Sequence, residues 1–133
     1  MMGNRARKFL GVDWGKKRIG LALGEEEVGI ASPWKVVSGL DEVLQAVEEE
    51  GIDVLVLGLP LQIHDQEAEL NSCFQEFLDS LKKTSPVQII TWDERLSTKE
   101  ATSLNKKVAH RIRAEEDAVS AMLILQKYFD SYL

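Results

Sequence analysis

The chain has 133 residues, 44% of them apolar and 29% charged, with one cysteine and a net charge of −6. That length suits a single domain over residues 1–133, and the lone Cys73 excludes an internal disulfide and suits a reducing cytoplasm. No apolar run approaches the ~20 residues of a membrane span, and no apolar stretch of signal-peptide length follows the three basic residues of Met1–Lys8. The expectation is therefore a cytoplasmic protein with no membrane partner.

Phe9–Val12 is a short apolar run, and Arg18–Leu23 puts Ile19, Leu21 and Leu23 on one face. The glycine-bounded turn between them is short, so the two strands should be antiparallel neighbours. Glu25-Glu26-Glu27 forms a polar turn. A third strand follows over Val28–Ala31 and Trp34–Val37, and Pro33 within it points to an edge position or a bulge.

Leu40, Val43, Leu44 and Val47 have helical spacing, and Gly51 is a natural stop. Asp53–Leu59 is a continuous apolar run, as in a strand buried on both faces. A second helix is predicted from about Gln66 to Lys83, with a stripe of Leu70, Phe74, Phe77, Leu78 and Leu81. Cys73 lies near that stripe and is expected to be buried. Val87–Thr91 is the fifth strand. Ser97-Thr98-Lys99-Glu100 has capping-box spacing and predicts a helix start. Asn105–Arg113 is basic and poorly periodic, as in a loop. Asp117–Tyr132 is apolar around most of its circumference and predicts a deeply packed last helix.

The order β-β-β-α-β-α-β-α-α combines hairpins with right-handed βαβ crossovers. It predicts an α/β fold, with a mixed five-stranded sheet and helices on both faces.

Three acidic sites fall at element ends: Asp13 after strand one, Asp93 and Glu94 after strand five, and Asp117 opening the last helix. Parallel strands bind ligands beyond their carboxyl ends, so these acids can share one edge. Converging carboxylates repel, and divalent ions held by oxygen ligands relieve that repulsion. Two such ions ~4 Å apart suit in-line phosphodiester hydrolysis. Each acid also has a plain structural reading. Asp13 can be a turn residue, Asp93 or Glu94 can pair with Arg95, and Asp117 can be a first-turn acid favoured by the helix dipole. Glu115 and Glu116 compete with Asp117 for the role.

Charge is segregated along the chain. Residues 1–18 carry +5, residues 19–94 carry −13, residues 95–113 carry +5 and residues 114–133 carry −3. Two basic islands can meet nucleic-acid phosphates despite the acidic total, although on charge alone solvated loops with no partner are the simpler explanation. His64 and His110 are expected to be solvated loop residues. Trp14 and Trp92 can pack at strand ends or stack on a base.

GVDWGKKRIGLAL, VLGLP, DERLST and EDAVSAMLILQ together resemble the four signatures of the YqgF/RuvX family. These are ribonuclease H-like proteins named as Holliday-junction resolvases or as nucleases that mature the small-subunit (16S) ribosomal RNA precursor. GxDxG alone is weak, because the actin and sugar-kinase phosphate loop shares it; those kinases need two such domains. The resemblance implies a metal-dependent nuclease with Mg²⁺ or Mn²⁺, two ions being expected. It makes Asp13 the bridging acid, with Glu94 and Asp117 completing the catalytic and metal set. It also implies substrate contacts from Lys17, Arg18, Arg95, Ser97 and Thr98. Partners would be pre-rRNA or branched DNA and ribosomal particles, with the chain a monomer or weak homodimer. Two departures stand out. Leu61–Gln66 (LQIHDQ) lacks the glycine usual after GLP, and Ser120-Ala121 replaces a pair of alanines. The competing hypotheses are a non-catalytic nucleic-acid-binding module on the same fold and a nucleotide-phosphate module.

Overall fold

A computed structural model describes residues 6–59, 68–93 and 113–132. Its elements are β1 (Lys8–Asp13), β2 (Ile19–Glu25), β3 (Ile30–Val37), α1 (Leu40–Glu50), β4 (Val54–Leu59), α2 (Ala68–Thr84), β5 (Gln88–Asp93) and α3 (Arg113–Tyr132). The five strands form one sheet in the order β3-β2-β1-β4-β5. β1 pairs antiparallel with β2 and parallel with β4, and β4 pairs parallel with β5. The carboxyl ends of β1, β4 and β5 therefore share one edge, as the βαβ alternation requires.

Strand periodicity divides the core in two. Leu10, Val12, Ile19, Leu21, Leu55 and Leu57 face α1 and α2, where they meet Val43, Val47, Phe74, Phe77 and Leu81. Phe9, Val54 and Val56 face α3 and pack on Ile124, Leu125, Tyr128 and Phe129. β4 is buried on both sides, which explains its unbroken apolar run.

β3 is an edge strand, and its pairing with β2 slips by one residue at Leu21/Ala22, so Lys35 and Pro33 oppose successive β2 residues. Both expectations for Pro33, edge and bulge, hold at once. Gln126 of α3 pins the start of this edge. Its Oε1 accepts from the Ala31 amide at 2.8 Å, and its Nε2 donates to the Gly29 carbonyl at 2.9 Å. Gln126→Ala should lose about 1–2 kcal/mol and speed amide exchange at Ala31 selectively. Unchanged protection there would show that the strand is held by its β2 pairing alone.

Three sequence expectations need correction. Cys73 is half-buried rather than buried. The last helix begins at Arg113, one turn before the predicted Asp117. Ala114, Glu115 and Glu116 are good helix formers, and acids are favoured in a first turn, so the helix extends through them. Asp117 is thus not a first-turn acid, and the dipole explanation for it lapses. Finally, α3 buries one face rather than most of its circumference; Val119, Met122 and Leu123 are only partly covered. The helix start at Ser97-Thr98, the loop before Arg113, the atypical Leu61–Gln66 segment, His64 and His110 lie outside the described residues.

Candidate active site

The site begins with how closely α3 approaches the sheet. Asp13 closes β1 and lies opposite Gly20 of β2; two residues back, Gly11 lies opposite Ala22. A Cβ at Gly20 would sit 1.9 Å from the carbonyl oxygen of Asp117. One at Gly11 would sit 2.8 Å from the carbonyl oxygen of Ala121 and 2.9 Å from the Leu125 Cβ. Asp117, Ala121 and Leu125 are spaced by four and form one ridge of the helix. Glycines under that ridge let the helix backbone rest on the strands. The contact at Gly20 brings Asp117 to the strand position beside Asp13.

The electrostatics follow from that placement. The Asp13 carboxyl is pushed up to about 7, first by burial and then by the negative charge of Asp117. Asp117 has a cation of its own: Arg18 Nε donates to its Oδ2 at 2.8 Å. Arg18 ends the β1–β2 turn, and Lys16 and Lys17 precede it, all three exposed. One edge of the sheet thus carries two acids and a basic turn.

Trp14 does not reach toward this edge. It packs on Phe74 and Phe77 with ring centroids 5.5 and 6.2 Å away, tying α2 to the end of β1. Trp92 packs edge-on against Tyr128 at 5.9 Å, and its buried indole N–H has no partner among the described residues. Both tryptophans are packing residues.

Of the predicted site residues, the structure brings together Asp13, Arg18 and Asp117, with Lys17 on the adjoining turn. Glu94, Arg95, Ser97 and Thr98 lie outside the described residues. The segment that holds them leaves β5 at Asp93, which pairs with Leu59 at the shared carboxyl edge. Among the described residues no group of three His, Cys, Asp or Glu side chains could hold a metal ion. Asp13 and Asp117 form a pair. Two neighbouring carboxylates, one pushed up by burial and by the other's charge and the other paired with an exposed arginine, are hard oxygen donors of the kind that suits a divalent cation.

Sequence reasoning missed two features. One is the helix-seating role of Gly20 and Gly11. Its signal was the run of small residues Gly20, Ala22 and Gly24 at every second position of β2. The other is the Arg18–Asp117 ion pair, which joins residues 99 apart in the chain and has no local signature.

A mixed sheet in this order, with an acid ending its central strand and a second on the helix crossing it, is a ribonuclease H-like fold. Among solved structures, T. thermophilus RuvC in complex with a Holliday-junction substrate matches with a TM-score of 0.61 at 14% identity, covering 94% of each chain. The fowlpox virus resolvase with Holliday-junction DNA matches with a TM-score of 0.60 at 14% identity, covering 95% of this chain and 99% of that one. The chain belongs to the RuvX family, whose model, described as "RuvX: Holliday junction resolvase", matches residues 7–131. Curated relatives named "Putative pre-16S rRNA nuclease" include one from Shewanella oneidensis, 34% identical over 96% of each chain. Another, from Anaplasma marginale, is 35% identical over 93% of this chain and 85% of its own length.

Proposed function

We propose that the protein is a metal-dependent nuclease that hydrolyses phosphodiester bonds in the precursor of small-subunit ribosomal RNA. The observation that carries this is the juxtaposition of Asp13 and Asp117 at the strand edge, forced by the contact over Gly20. The names of the curated relatives supply the substrate. The family description and the junction-bound structural neighbours favour a second reading, resolution of branched DNA. That reading calls for a dimer able to cut two strands symmetrically.

Asp13 and Asp117 would hold Mg²⁺ or Mn²⁺, with Glu94 as the third acid. Ile90 and Trp92 pack on the α3 side of the sheet, and Asp13 shares that side by strand parity. Glu94 is the acid that the resemblance to the family's DERLST signature supplies. When bound, such ions supply Lewis-acid charge to the reacting phosphate. The chain's own residues do the rest. Lys17, Arg18 and Arg95 would meet backbone phosphates, Ser97 and Thr98 would contact the substrate, and the Asp13 carboxylate is held in place by β1.

Incubating the protein with ribosomal RNA precursor and with a four-way DNA junction, with and without Mn²⁺, tests this. Cleavage of the precursor only with Mn²⁺ is the expected outcome. Symmetric nicking of the junction alone would favour the second reading. Binding without cleavage of either would leave a non-catalytic module. Mn²⁺ should also raise the melting temperature; saturation a hundredfold above Kd stabilises the native state by about 2.7 kcal/mol. A melting curve indifferent to Mn²⁺ would contradict the metal site.

A further inference from the structure

We propose that Arg18 is a placeholder cation: it holds Asp117 while the metal is absent, yields that carboxylate when the metal enters, and then turns to a substrate phosphate. The proposal rests on the metal-site reading above and adds an order of assembly, metal before nucleic acid.

The geometry supports an exchange rather than a permanent brace. Arg18 Nε lies 2.8 Å from Asp117 Oδ2, so a cation taking that oxygen and the guanidinium compete for one acceptor. The Arg18 side chain is 58% exposed, against 29% for that of Asp117. The carboxylate is therefore the anchored partner and the arginine the movable one. An ion pair this exposed is held weakly and is screened by salt, so a divalent ion can displace it. The backbone of Arg18 stays fixed, because Ile19 is buried and Gly20 lies under α3. Only the long side chain has to move. A released guanidinium would remain beside the exposed Lys16 and Lys17 at the same edge. Its planar fork suits a phosphate, which it can meet through two parallel hydrogen bonds.

The test is Mn²⁺ binding to the full-length, chelator-treated protein, measured by calorimetry for wild type, Arg18→Gln, Arg18→Ala and Asp117→Asn. With the competitor removed, both Arg18 variants should bind Mn²⁺ about two- to fivefold more tightly. Asp117→Asn should bind it more weakly than wild type. A second readout is the salt dependence of binding to a cleavage-resistant phosphorothioate single strand. Arg18→Gln should lower the slope of log K against log salt by about 0.7 with Mn²⁺ present and leave it unchanged in chelator. Arg18 variants that bind Mn²⁺ with wild-type or weaker affinity, while wild type binds it, would overturn the exchange and leave the metal site standing. Wild-type protein that binds no Mn²⁺ would overturn both.

Discussion

Asp13→Asn should abolish cleavage and, in the same molecule, make the metal-free protein harder to melt above pH 7. The two effects share one cause. The Asp13 carboxyl is raised from 3.8 to about 7, by burial first and by Asp117 second. A raised acid pKa means that the native state keeps a proton the unfolded chain releases. The contribution of this group to stability is therefore full below about pH 4, falls as pH rises toward 7, and is lost above it. At pH 8 the ionised carboxylate strains the native state by on the order of 2–4 kcal/mol. An asparagine amide carries no charge and removes that strain. The variant should melt about 5–10 °C above wild type at pH 8 and within a degree or two of it at pH 4. Saturating Mn²⁺ should close the gap at pH 8 by stabilising wild type alone. The loss of cleavage should exceed about a hundredfold, as for removal of a group that stabilises charge at the reacting atoms. A variant that melts below wild type at every pH would show that the Asp13 carboxylate is not held against repulsion.

Gly20→Ala should be the most damaging glycine-to-alanine change among the described residues. The added carbon would meet the Asp117 carbonyl oxygen at 1.9 Å, a backbone atom in the interior of a helix. No side-chain rotation relieves that overlap, so α3 must lift from β2. The expected loss is about 3 kcal/mol, with a fall in cleavage greater than tenfold because Asp117 moves with the helix. Gly39→Ala is the control: a Cβ there meets nothing within 4 Å, and the change should stay within about 1 kcal/mol. If Gly20→Ala melts and cleaves like wild type, the close seating of α3 is wrong, and so is the placement of Asp117.

Much of the fold was legible because the period of the apolar residues encodes it. Asp53–Leu59 announced a doubly buried strand, Gly51 ended α1 in the left-handed region with φ 64°, and Pro33 marked an edge. The resemblance of GVDWGKKRIGLAL, VLGLP, DERLST and EDAVSAMLILQ placed the chain in the RuvX family, and the family match bears it out. What the sequence hid was tertiary. Gly11 and Gly20 looked like turn punctuation, because a glycine's role under a helix appears only once that helix is docked. The Arg18–Asp117 ion pair left no local trace, because its two residues stand 99 positions apart. The start of α3 was placed too late, because an apolar pattern cannot register the polar first turn of Arg113–Glu116.

The most direct test of the shared acidic site is the position of Mn²⁺ in crystals of the protein, located by anomalous scattering. A peak about 2.0–2.3 Å from carboxylate oxygens of both Asp13 and Asp117 is the predicted result. Manganese bound elsewhere on the surface, with no peak between those two side chains at saturating concentration, would contradict it.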